Sequence, residues 1–216
     1  WKISFNNSSI ESFPIPPHLT SIGDFAFSFC KRLHQIEIKE NAELKSVGRC
    51  VFFSTPIKSF FIPSTLIRSE MASAAEDGID ARKVDQRNPR YLVYDDKIII
   101  SKKTLDSDKS DSIIFCSSDA ERITIPSFIK RIDAFSFHVC SKILKVEIQE
   151  NLQLEEIDES AFSGASIASL SIPPHLKTIG EKVFTYCMQL RKVEITENSE
   201  LQRLISMHSH FQQLKA

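Results

Sequence analysis

The chain repeats itself at a fixed period, and this property constrains its fold more than any other. Three units open on an Ile-Pro pair, at Ile15, Ile125 and Ile172. In each unit an Ile follows seven residues after the opening Ile, a Phe twelve residues after it and a Cys fifteen residues after it. The aligned residues are Ile22, Ile132 and Ile179, then Phe27, Phe137 and Phe184, then Cys30, Cys140 and Cys187. Fixed apolar positions at a fixed period are typical of a solenoid, in which each unit buries its apolar face against its neighbours.

Units of a second type alternate with the first. The first type spans 23 residues, as in 15–38, and the second spans 24 residues, as in 38–62. Both lengths fit a leucine-rich repeat of roughly 20–29 residues. Apolar and polar residues alternate up to Ile38, which predicts a short strand with one buried face. The Gly and acidic residues that follow Ile22 and Ile179 favour the start of a helix, so we expect a short helix with its Phe pointing inwards.

The repeat therefore predicts an α/β fold, a leucine-rich repeat solenoid with a parallel concave sheet and short helices on the other side. We expect a single solenoid over residues 1–216, with parallel strands centred near residues 13, 36, 60, 84, 123, 146, 170 and 193. The pattern is interrupted between Ile62 and Ile125, where Asn88-Pro89 marks a turn before three apolar runs. These runs predict a β-hairpin insertion at about 88–120. The chain starts at Trp1, inside a repeat, so we expect a fragment or a processed form.

Composition and motifs exclude several classes of function. The formal charge is −1 and no basic block stands out, so we expect no nucleic-acid partner. The longest apolar runs are far too short to span a bilayer, so we expect no membrane insertion in this segment. No phosphate-binding loop, dinucleotide fingerprint or nucleophile elbow can be written from the sequence. We therefore predict a protein that is not an enzyme and that uses no cofactor.

The cysteines and histidines give little support to metal or redox chemistry. The aligned Cys30, Cys140 and Cys187 are expected to be buried free thiols. Equivalent residues two rungs apart lie roughly 10 Å apart, whereas a disulfide needs Cα atoms within about 7 Å. His208 and His210 could share one face of a strand, but no clear third ligand accompanies them, so we expect no metal site.

The outward face of the predicted strands is the candidate binding site. It mixes acidic and basic side chains, with small polar residues on alternate strands and Phe61 as its large aromatic residue. Two interpretations stay open: a solvated sheet face with local Lys–Glu neutralisation, or a concave docking surface for a protein on which Phe61 is the anchor. The candidate residues are Glu37, Lys39, Phe61, Lys145, Glu147, Gln149, Lys192, Glu194 and Thr196.

The repeats resemble the BspA-type leucine-rich repeats of microbial and protozoan surface proteins. Two segments carry the resemblance, IPPHLTSIGDFAFSFC from Ile15 to Cys30 and IPPHLKTIGEKVFTYC from Ile172 to Cys187. The run Asn88-Pro89-Arg90-Tyr91, followed by DKII from Asp96, is similar to the hairpin that interrupts such arrays. The resemblance implies a surface adhesin fragment that contacts host-cell or extracellular-matrix proteins, and it supplies no catalytic residues. The alternative is an intracellular, cytoplasmic scaffold for an endogenous protein. The identity of the ligand and the oligomeric state stay open.

Overall fold

The structure is a computed structural model that describes residues 4–57, 59–69, 83–102, 110–148, 153–195 and 203–204. The chain divides into two compact units, an N-terminal unit (Trp1–Ser110) and a C-terminal unit (Asp111–Ala216). The single solenoid over 1–216 stays a prediction. The described strands are, in chain order, β1 (Ser12–Pro14), β2 (Ser21–Ile22), β3 (Gln35–Glu37), β4 (Ser46–Val47), β5 (Arg68–Ser69), β6 (Tyr91–Tyr94), β7 (Ile98–Lys102), β8 (Ser110–Cys116), β9 (Arg122–Ile125), β10 (Arg131–Ile132), β11 (Lys145–Ile148), β12 (Glu156–Ile157), β13 (Ser169–Ile172), β14 (Thr178–Ile179), β15 (Lys192–Ile195) and β16 (Arg203–Leu204).

Most of the described repeats contribute a longer strand, and these longer strands pair in parallel, two at a time. In the N-terminal unit β1 pairs with β3. In the C-terminal unit β9 pairs with β11 and β13 pairs with β15. These strands lie where the repeat predicts them, near residues 13, 36, 123, 146, 170 and 193. Near residues 60 and 84 the structure instead has one isolated parallel bridge, between Ile62 and Val84.

The described repeats also contribute a second set of strands, most of them only two residues long, and the sequence did not predict these two-residue strands. In the N-terminal unit β2, β4 and β5 form one parallel ladder. In the C-terminal unit β10 pairs with β8 and β12, and β14 pairs with β12 and β16. The Ile or Val of these strands aligns with Ile22 in the repeat. These side chains are buried, at Ile22, Val47, Ile132 and Ile179. One coil is therefore held to the next on two of its sides.

The expected short helices are wrong, and with them the α/β class, because the described residues contain strands and turns but no helix. Phe25 and Phe29 have φ of 56° and 59°, in the left-handed region, and an L-residue helix cannot continue through such a residue. Alternate backbone N–H groups of this segment also point away from it. Phe25, Phe27 and Phe29 donate to the carbonyls of the next coil over N–O distances of 2.9, 2.9 and 2.8 Å. The chain is a β-solenoid in which turns replace the helices.

The same turn chemistry recurs in other coils of both units. Residues with positive φ come in pairs four residues apart: Cys50 and Ser54, Phe135 and Val139, Ser160 and Gly164, and Lys182 and Tyr186. The Gly and acidic residues that suggested a helix start therefore begin a series of turns. Both residue types favour turns as well as helix starts, Gly because it lacks a Cβ that restricts φ, and Asp because its side chain bonds nearby backbone groups.

The region after residue 83 contains an antiparallel hairpin. Strands β6 and β7 pair with Tyr91 opposite Ser101 and Tyr94 opposite Ile98. The third apolar run forms β8, and β8 joins the two-residue ladder through β10. The bounds of the insertion stay a prediction. Residues 70–82, which belong to the predicted interruption between Ile62 and Ile125, lie outside the described residues.

Stacked aromatic rings form the core of each unit. In the N-terminal unit Phe27 stacks on Phe52 with ring centroids 5.9 Å apart. In the C-terminal unit Phe162 stacks between Phe137 at 4.7 Å and Phe184 at 6.0 Å. All five side chains are buried. In these coils the Phe position of the repeat is therefore a ladder of rings, with one ring from each coil.

The aligned cysteines are free thiols with a specific role in the coil. Cys30 Sγ donates to the carbonyl of Phe5 over 3.0 Å, and Cys187 Sγ donates to the carbonyl of Phe162 over 3.0 Å. Thr55 occupies the same repeat position and its hydroxyl donates to the carbonyl of Phe27 over 2.7 Å. The position therefore favours a small side chain that carries a donor, because that donor satisfies a carbonyl of the preceding coil.

Candidate protein-interaction surface

The outward side chains of the longer strands form a polar surface, which we call the strand stripe. In the C-terminal unit it consists of Arg122, Thr124, Lys145, Glu147, Ser169, Ser171, Lys192 and Glu194. Their neighbours along each strand point inwards, so that Ile123, Val146 and Leu170 are buried. Parallel pairing sets the register and places Lys145 beside Arg122 and Glu147 beside Thr124. The alternation that predicted this surface is thus present in the structure.

Ion pairs along single strands neutralise much of the charge of the strand stripe. Lys145 Nζ lies 2.8 Å from Glu147 Oε1, and Lys192 Nζ lies 2.5 Å from Glu194 Oε1. Hydrogen bonds from these lysines lower the pKa of Glu147 and of Glu194. Both pairs are largely exposed, and exposed pairs contribute only about 0–1 kcal/mol to stability. The local Lys–Glu neutralisation considered from the sequence therefore occurs. Because the pairs are weak, replacing them with ion pairs to a partner would cost little free energy.

The N-terminal unit contains a shorter part of the stripe. Gln35 Nε2 donates to Glu37 Oε1 over 3.1 Å on β3, and Lys39 is exposed two residues beyond that strand. Phe61 is half-buried next to the bridge between Ile62 and Val84. Of the predicted site residues, Gln149 and Thr196 lie outside the described residues, as do His208 and His210. The role of the stripe in binding stays a prediction.

The turns place large apolar side chains on the surface, and sequence reasoning missed them. Phe25 is 48% exposed, Tyr186 72% and Met188 86%. Phe29 is exposed too, and its ring meets Phe53 edge-on with centroids 5.4 Å apart. The sequence analysis missed these residues because it predicted a short helix with its Phe pointing inwards, and so it did not expect aromatic side chains on the surface. A period of four residues along the turns was the pattern that could have identified Phe25, Phe29 and Tyr186.

The described residues contain no helix that is both long and apolar enough to cross a membrane. No cluster of three or more His, Cys, Asp or Glu side chains within them has the arrangement of a metal site.

The fold is similar to those of solved bacterial leucine-rich repeat proteins. The pneumococcal vaccine antigen PcpA superposes with a TM-score of 0.70 at 20% identity, over 88% of this chain and 52% of that one. A leucine-rich repeat protein from Eubacterium ventriosum gives 0.67 at 17% identity, over 90% and 57%. A leucine-rich cell surface protein from Faecalibacterium prausnitzii gives 0.59 at 18% identity, over 90% and 64%. The chain thus spans about half the length of PcpA. At these identities the likeness shows the fold.

A search of curated proteins found no match. The family described as "BspA type leucine rich repeat region" matches over residues 2–74 and 109–209, in six copies. The matched residues include the three Ile-Pro units and both ladders of each unit. The chain belongs to the BspA-type leucine-rich repeat family.

Proposed function

We propose that this chain is a non-enzymatic protein-binding module of a surface protein, which contacts host-cell or extracellular-matrix proteins. Membership of the BspA-type family supports a repeat module for protein interaction. Two similar structures are named as a vaccine antigen and a cell surface protein, and these names favour the cell surface or the extracellular space for this chain as well. The strand stripe of the C-terminal unit is the observation that carries the proposal.

Three properties suit the strand stripe to binding a protein. Its backbone is fixed by parallel pairing and by buried neighbours, so little conformational entropy is lost on binding. Its side chains are regularly spaced and exposed, as in the extended surfaces that solenoids use. Its ion pairs are weak enough to be exchanged, so a partner's charges can replace them. Binding should therefore weaken as salt screens these charges.

The test is a charge reversal on the stripe. Lys145→Glu/Lys192→Glu places two like charges beside Glu147 and Glu194, and we expect it to weaken binding to immobilised matrix proteins and to host cells. The matched control is Lys142→Glu/Lys182→Glu, which makes the same change of charge at exposed residues in the turns of the same unit. Equal binding by both double variants would overturn the role of the stripe.

A second variant tests the apolar anchor. Phe61→Ala should cost about 2 kcal/mol of binding free energy if Phe61 is a hot spot. Surface plasmon resonance at two salt concentrations separates its contribution from that of the charges. If the wild-type chain binds neither matrix proteins nor host cells, the surface role is contradicted and an intracellular scaffold for an endogenous partner is favoured.

A further inference from the structure

A cavity of about 580 Å³ lies at the base of the hairpin in the N-terminal unit. The loop before β6 and the two hairpin strands line it. The residues that matter for its chemistry are Asp85, Asn88, Arg90, Tyr91, Leu92 and Lys102. None of them belongs to the strand stripe, so this site is independent of the surface proposed above.

Asn88 makes the cavity rigid. Its side-chain Nδ2 donates to the carbonyls of Pro63 and Leu66 over 2.6 and 2.9 Å. Its Oδ1 accepts from the backbone N–H groups of Arg90 and Tyr91 over 2.9 and 2.8 Å. The amide thus uses its two donors and both acceptor positions. Arg90 is therefore presented by a backbone that is fastened to the preceding coil.

The acidic residue deepest in this loop is already paired. Asp85 has a side chain only 7% exposed, and Arg87 binds it from three nitrogens, N, Nε and Nη2, at 2.9, 3.0 and 2.8 Å. These hydrogen bonds hold the pKa of Asp85 down to about 2. The carboxylate is thus ionised and occupied, and Arg87 rather than Arg90 is its partner.

Arg90 is half-buried, and its Nε is a buried atom with no hydrogen-bond partner among the described residues. Its guanidinium carbon lies 5.7 Å from the centroid of the Tyr91 ring, a contact that leaves that N–H donor without an acceptor. Leaving such a donor unsatisfied is unfavourable, and more so when the donor belongs to a charged group. Lys102 lies opposite Arg90 at the base of the hairpin, where its backbone N–H donates to the Arg90 carbonyl over 3.1 Å. Asp96 also lines the cavity, but it lies in the exposed hairpin turn, at the far end of the strands. The base of the cavity therefore holds two cationic side chains and a hydrogen-bond donor, Arg90 Nε, without an acceptor.

The wall beside these cations is apolar and open. Leu92 is 41% exposed, and Tyr94, two residues further on the same face of β6, is 37% exposed. A small carboxylate would satisfy Arg90 but would leave both apolar side chains in water. An extended peptide would satisfy Arg90 with one acidic side chain and cover Leu92 and Tyr94 with its apolar neighbours.

We infer that the hairpin cavity binds an acidic segment of a partner protein, with a carboxylate held by Arg90 and Lys102 and an adjacent apolar side chain packed on Leu92. Guanidinium and carboxylate groups match in geometry and form strong charge-assisted hydrogen bonds. The charge and the apolar wall together set the specificity, because neither a purely apolar segment nor an isolated carboxylate makes both contacts.

The test uses the full chain and two blocked peptides, one with a Glu between two Leu residues and one with Gln in place of that Glu. Isothermal titration calorimetry at low salt should show the Glu peptide binding at least tenfold more tightly than the Gln peptide. Arg90→Gln should abolish this preference. Lys97→Gln removes a lysine from the same hairpin but outside the cavity lining, and it should keep the preference.

Several outcomes would overturn the inference. Equal binding of the two peptides, no binding of either, or a preference that survives in Arg90→Gln would each exclude a carboxylate site at Arg90. Acetate that binds as tightly as the Glu peptide would show a small-carboxylate site and would remove the peptide. If Arg90→Gln does not fold, as judged by circular dichroism, Arg90→Lys takes its place. That variant keeps the charge without the guanidinium and should retain only part of the preference.

Discussion

Truncation of Phe162 to Ala should remove more stability than any exposed aromatic substitution in the C-terminal unit. Phe162 is fully buried, and its ring stacks between Phe137 at 4.7 Å and Phe184 at 6.0 Å. Buried Phe→Ala substitutions lower the free energy of unfolding by about 3–5 kcal/mol, because the transfer free energy of the ring is lost and a cavity is left behind. Each aromatic pair adds about 0.5–1.5 kcal/mol beyond burial. We therefore expect a loss in the upper part of that range, near 5 kcal/mol.

The matched control is Tyr186→Ala, which removes a ring of similar size that is 72% exposed in the same unit. Surface substitutions of this kind usually change stability by no more than about 0.5 kcal/mol. Urea unfolding followed by circular dichroism gives both values from the shift of the midpoint. Since a domain of this size has roughly 5–15 kcal/mol of stability, Phe162→Leu, with an expected loss of about 1–2 kcal/mol, keeps the series measurable if Phe162→Ala unfolds.

A double-mutant cycle tests the stacking itself. Phe137→Leu and Phe162→Leu should couple by about 0.5–1.5 kcal/mol, because their rings are in direct contact. A midpoint shift for Phe162→Ala no larger than that for Tyr186→Ala would refute the ladder of rings. Additive effects of the two Leu substitutions would refute the stack while leaving burial intact.

Three other substitutions or conditions test different parts of the structure. Gly180→Ala should destabilise the chain by about 1–3 kcal/mol, because a Cβ there would lie 2.4 Å from a backbone nitrogen of the neighbouring coil. Gly23 occupies the same repeat position, but a Cβ there would have no described atom within 4 Å. Thermal unfolding should therefore show that Gly23→Ala is tolerated and Gly180→Ala is not. Burial raises the pKa of Cys187 to about 11, so its alkylation at pH 8, followed by mass spectrometry, should be about 100-fold slower in the native chain than in urea. Arg87 lowers the pKa of Asp85 to about 2. The wild type should therefore be more stable than Asp85→Asn by a difference that is complete above about pH 4 and vanishes as the pH falls through about 2. Urea unfolding midpoints of both proteins at each pH measure this difference.

The repeat predicted the positions of most longer strands and of the core because both depend on local alternation. Ile123 and Val146 are buried, and their strand neighbours point outwards, as a period of two requires. The Phe27-type and Cys30-type positions are interior for the same reason, since every coil presents them to the same space. These features follow from the pattern of one unit, and repetition strengthens the prediction.

The short helices failed because the deciding interactions lie between coils. A Gly or Asp after Ile22 suits a helix start as well as a turn, and the residues alone do not distinguish them. The amides of Phe25 and Phe27 bind carbonyls in the next coil, about 24 residues away in the chain. A local reading of propensity cannot include such partners. The two-residue ladder escaped prediction for the same reason, because two residues are too few to show alternation.

The candidate sites differ in how far the sequence could predict them. The strand stripe is a direct consequence of alternation, so Lys145, Glu147 and Lys192 could be named from the repeat. The hairpin cavity could not, because it depends on Asn88 reaching back to Pro63 and Leu66. The exposed aromatic residues of the turns were not predicted, because these segments were assigned to helices.

The contacts that hold the coils together are separate from the surface that we propose for binding a partner. Coil-to-coil cohesion comes from stacked rings, from amides such as that of Phe27, and from donors such as the Cys187 thiol, all of which lie inside or along the turns. The strand stripe adds only exposed side chains and ion pairs of about 0–1 kcal/mol each. Substitutions on the stripe should therefore change binding without unfolding the chain. For this reason a loss of binding in Lys145→Glu/Lys192→Glu would report on the surface itself, and the same separation would let stripe residues diversify on one unchanged scaffold.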